Sequence, residues 1–75
     1  MNDKIVNIAA DVLKITTDEA KKNSKSISEI NGFYFWSSGR GGIAVIINSD
    51  GEKLAATSSI SFEEHIQAFN EGRRN

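Results

Sequence analysis

Few residues in this chain have the types and spacing for chemistry. Gly39-Arg40-Gly41-Gly42-Ile43-Ala44 satisfies G-x-G-x-x-A, the spacing of a dinucleotide-binding loop. In such a loop the glycines let the backbone approach a pyrophosphate, and the amides and dipole of a helix N-terminus face it. That chemistry requires a helix to open at the glycines, whereas Ile43 to Ile47 is a largely β-branched run that reads as a strand. A P-loop is also excluded, because no Gly-Lys-Ser/Thr follows the glycines. The stretch therefore predicts a hairpin turn between two strands, with Arg40 at its tip, where neighbouring backbone N–H groups could cradle a small anion.

His65 is the one histidine, and it falls on the Phe62/Ile66/Phe69 side of a helical pattern, the position of a packed or edge residue. With no cysteine and no second histidine, zinc could draw only on carboxylates such as Glu64. No serine is selected by spacing as a nucleophile for His65 to activate. Asn48-Ser49-Asp50-Gly51 has the Asn-x-Asp-Gly core of a calcium loop, but the first ligand position is Ile46 and the twelfth is Thr57, so calcium is excluded. No enzyme, cofactor or metal is expected.

These residues must be positioned by a small set of elements. Asn2 or Asp3 can cap a first helix, along which Ile5, Ile8, Ala9, Val12 and Leu13 form one apolar stripe. Thr16 to Glu19 reads either as a break or as a fresh start, since Thr16 and Glu19 have capping-box spacing. Lys21, Lys22, Ser24, Lys25 and Ser26 read as a solvated helical tail running into a loop. Asn31-Gly32 is a turn signal, after which the aromatic run Phe33 to Trp36 predicts a strand. Ile43 to Asn48 predicts a central strand with both faces at least partly covered. Asn48 to Gly51 then reverses the chain into a third strand, Lys53 to Thr57. Ser61-Phe62-Glu63-Glu64 is a capping box opening a last helix, with Phe62, Ile66 and Phe69 inward and Gly72 as its left-handed C-terminal residue.

The expected fold is α+β in the order α-β-β-β-α, a three-stranded antiparallel meander packed by two helices, one domain over residues 1–75. This order resembles the topology of double-stranded-RNA-binding domains. Those domains are known for lysines at the start of the last helix, whereas here Ser61-Phe62-Glu63-Glu64 would repel phosphates, so the resemblance transfers no function.

Along the strand Phe33 and Phe35 point one way, Tyr34 and Trp36 the other. If both helices pack on one face, Tyr34 and Trp36 form an apolar patch on an open sheet face beside Ala44 and Ile46. Alternatively a helix or loop shields that face, or Tyr34 and Trp36 are themselves the buried pair.

Composition narrows the rest. Hydrophobic residues at 39% and charged residues at 25% fit a folded chain, and the absence of cysteine fits a reducing compartment. No apolar run is long enough to span a bilayer, and the expectation is an unprocessed cytosolic chain. A net charge of −1 gives no global attraction to nucleic acid or anionic lipid. The expected function is a protein-interaction module of the inhibitor or bacterial immunity type, with Tyr34, Trp36 and Arg40 as candidate partner-binding residues and a homodimer as a further option. The alternative is single-stranded nucleic-acid binding through exposed aromatics with Arg40, Lys21, Lys22, Lys25, Arg73 and Arg74.

Overall fold

The computed structural model describes residues 3–37, 42–57 and 60–74. Asn2 as a helix cap, and Gly39, Arg40 and Gly41 of the glycine stretch, lie outside the described residues. Helix α1 runs Asp3–Leu13, and α2 runs Thr17–Lys22. Strands β1 (Ser24–Ile27), β2 (Gly32–Trp36), β3 (Ile43–Asn48) and β4 (Lys53–Thr57) follow, and α3 (Phe62–Asn70) closes the chain. A single 3₁₀ turn, Ser28–Ile30, joins β1 to β2. No helix among the described residues is long and apolar enough to cross a membrane.

The class is α+β, but the meander has four strands, paired antiparallel in the order β1-β2-β3-β4. The added strand is β1, in the segment expected to be a helical tail. Ser24, Lys25 and Ser26 carry no alternating apolar signal; they are extended because they pair with Phe35, Tyr34 and Phe33 of β2. A short, polar, lysine-bearing strand also suits a sheet edge, where it discourages pairing with other chains.

A third helix is the second correction. The Thr16 hydroxyl accepts from the Glu19 amide at 3.1 Å, so Thr16 caps a fresh helix. The step from α1 to α2 passes through Lys14 at φ +57, and the Ile15 amide bonds back to the Ala10 carbonyl at 3.0 Å.

The helices cover both faces of the sheet. On one face, Ile5, Val6, Ala9, Ala10 and Leu13 of α1 and Ala20 of α2 pack with Phe35, Val45 and Ile47. On the other, Phe69, Phe62 and Ile66 of α3 pack with Ile27, Tyr34, Ile46 and Leu54. Strand β3 feeds both layers, which is why its sequence is nearly all apolar: Ala44, Val45, Ile46 and Ile47 are each at most 3% exposed.

Two turns depend on backbone freedom or close approach. Asn31 adopts the left-handed conformation at φ +51, and at the next residue a Cβ would come within 2.6 Å of the Ile47 carbonyl oxygen, so only glycine fits at position 32. Gly51, at φ +87, completes the β3–β4 turn. There the Asn48 side-chain oxygen accepts from the Asp50 and Glu52 amides while its NH₂ donates to the Glu52 carboxylate at 2.8 Å. The calcium-like motif is thus an asparagine-pinned hairpin.

Candidate protein-docking face

Helix α3 builds the surface of interest. Its start is set by the capping box: the Ser61 hydroxyl accepts from the Glu64 amide at 3.2 Å, and the Glu64 carboxylate accepts from the Ser61 amide at 3.4 Å. Starting the helix there fixes its phase, so that His65 and Phe69 are buried while Phe62 and Ile66, one turn apart, lie half-buried along its flank.

Tyr34 and Trp36 share this face, and the helix changes their role. The expected open patch is not formed, because the Phe62 ring meets Tyr34 edge-on at 4.7 Å between centroids and the His65 ring does so at 5.7 Å. Burial raises the Tyr34 pKa above its ordinary value. Trp36 stays half-buried at the end of β2, its ring 5.8 Å from Tyr34, facing Ala44 across the ladder. Arg40 lies outside the described residues.

His65 is 1% exposed, and its Nε2 donates to the Leu54 carbonyl at 2.8 Å. A carbonyl can only accept, so this nitrogen carries hydrogen and is used in tying α3 to β4. The histidine packs rather than faces solvent, as the apolar side of its helix predicts. Among the described residues no group of three or more His, Asp or Glu side chains is gathered to hold a metal.

Beside α3 runs an open groove of about 640 Å³. Phe62 and Ile66 form its apolar floor; Glu63, Gln67, Asn70 and Glu71 edge it along the helix, and Glu29 of the 3₁₀ turn edges it from across. No lysine or arginine lines it, and among the described residues none forms an ion pair with Glu29, Glu63 or Glu71. Glu52, outside the groove, makes a useful contrast. It receives a hydrogen bond from Asn48, and Arg74 reaches it at 3.7 Å while lying 3.6 Å over the Phe69 ring and donating to the Phe69 carbonyl.

The basic residues are dispersed. Lys21 and Lys22 are on α2, which packs on the opposite sheet face from Trp36 and α3. Lys25 rests with its ammonium 4.5 Å from the Phe62 ring centre, and Arg74 is engaged with Glu52 and Phe69. Reading the sequence alone missed the groove, since Glu29 lies far from Glu63 and Glu71 in the chain. The one local signal was the alternation of Phe62, Glu63, Ile66 and Gln67 along the last helix. No protein-family model, curated protein or solved structure matches this chain.

Proposed function

We propose that this chain is a protein-interaction module that acts in the cytosol by binding, and thereby blocking, another protein through the α3 face. The observation that carries this reading is the groove beside α3, whose apolar floor of Phe62 and Ile66 is bordered by carboxylates with no cation among its lining residues. An apolar centre with a polar rim is the usual anatomy of a protein interface. Nucleic-acid binding is less well supported, because Lys21 and Lys22 belong to α2, which packs on the sheet face opposite α3, Tyr34 is in contact with Phe62, and the groove itself is acidic.

The test is affinity capture from source-cell extract with nuclease present and absent, comparing wild type with Ile66→Asp and Trp36→Ala, each first shown to be folded by circular dichroism. One stoichiometric protein that survives nuclease, is retained by wild type and is lost from the folded Ile66→Asp variant would support the reading. Retention that depends on nucleic acid would replace it with the alternative. Loss with Trp36→Ala alone would move the interface from the groove to the end of β2.

A further inference from the structure

Resting on that reading, we infer that the segment of the partner that enters the groove is a cationic amphipathic helix, with apolar side chains one turn apart seated on Phe62 and Ile66 and lysines or arginines reaching Glu29, Glu63 and Glu71. The floor residues are four apart on α3, a rise of about 6 Å, which matches the spacing of i and i+4 anchors on an incoming helix. Lys25 rests on the Phe62 ring beside the floor, but the rim itself is acidic and favours a cationic partner. Its carboxylates are unmatched by any described cation, whereas Glu52, outside the groove, is matched by Arg74.

Glu71 is the C-cap of α3, where a carboxylate opposes the helix dipole. Arg74 already donates to the Phe69 carbonyl at that end, so what the groove offers an incoming cation there is the Glu71 carboxylate itself. The whole chain carries a net charge of only −1, so the attraction is local to the groove rather than a property of the molecule. A symmetric pair of copies is the poorer occupant, since a two-fold contact through the groove would set the same carboxylates against each other.

The proposal is tested on the ¹⁵N-labelled full chain by NMR titration with a synthetic lysine-leucine peptide patterned as an amphipathic helix. Two controls accompany it: a scrambled peptide of the same composition, and the same pattern with glutamate in place of lysine. The expected result is saturable shifts confined to the amides around Glu29, Phe62, Glu63, Ile66 and Glu71, seen with the patterned cationic peptide only. Glu63→Gln with Glu71→Gln should then weaken binding about fivefold or more, as expected for two solvent-flanked ion pairs. Asp11→Asn with Asp18→Asn, on α1 and α2, should leave it unchanged.

Equal binding of the scrambled peptide, shifts centred on Asp11 and Asp18, or wild-type affinity in the Glu63/Glu71 variant would overturn the inference. So would concentration-dependent self-association in sedimentation that Ile66→Asp abolishes, since the occupant of the groove would then be a second copy. A captured partner whose α3-contacting segment is neutral or acidic would overturn this inference alone and leave the interaction module standing. Absence of any captured protein would remove the module itself.

Discussion

Tyr34 is the single tyrosine of the chain, so its ionisation can be followed by absorbance without assignment. Burial under Phe62 and His65 disfavours the phenolate and raises its folded pKa above that of an unfolded tyrosine, about 10. The folded state therefore keeps a proton that the unfolded state has released. Its stabilising contribution is complete below about pH 10 and is lost as pH rises through the folded value. A phenol titration of the folded protein should have its midpoint above that of the urea-unfolded chain, and Tyr34→Phe should flatten the alkaline fall in stability. At Gly32 the constraint is steric. A Cβ would stand 2.6 Å from the Ile47 oxygen and 2.9 Å from the Asn48 Cα, both backbone atoms that cannot rotate away. Gly32→Ala should cost about 1–3 kcal/mol in urea denaturation, and an unchanged midpoint would show that β2 and β3 can separate locally without loss.

Helix ends govern the element scale. Lys14 holds a left-handed conformation at the end of α1, a backbone region that costs a non-glycine residue roughly 1 kcal/mol. Replacing it with glycine should raise stability by about 0.5–1 kcal/mol, less the entropy that glycine gives the unfolded chain; calorimetry would read this as a higher Tm. Glu71 at the C-cap of α3 opposes its own helix dipole, so Glu71→Gln should stabilise by about 0.3–1 kcal/mol at low salt. The same variant should bind a cationic segment more weakly. Stability and docking moving in opposite directions is the signature of a residue retained for binding.

At the scale of the whole molecule, β3 lies between two packed layers and couples them. Val45 and Ile47 face α1, Ile46 faces α3, and all three are 0% exposed. Truncation in either layer should therefore lower the stability of both. Ile46→Ala should cost about 2–5 kcal/mol, with Trp36 fluorescence and far-ultraviolet circular dichroism falling in a single transition. Separate transitions would show that α3 and its layer unfold independently of α1.

Several features of this protein were legible in its residues alone. They are the α1 stripe, the doubly covered β3, the Asn31-Gly32 and Asn48-to-Gly51 turns, the Ser61 capping box and Gly72, which has φ +93. Each rests on side-chain periodicity, a cap or backbone tolerance within a few neighbouring residues, and such signals survive without tertiary context. The tertiary structure decided that Ser24–Ile27 is a strand, because β2 supplies the ladder that its polar side chains do not advertise. It also decided that α3 crosses to the face opposite α1, covering Tyr34 and leaving Trp36 half-buried. The groove belongs to the same category: Glu29 lines one groove with Phe62, Ile66 and Glu71 only because the β1–β2 connection and α3 lie on the same side of the sheet. Contacts between distant segments depend on which faces are buried together, a balance of packing over the whole chain that no local pattern of residues encodes.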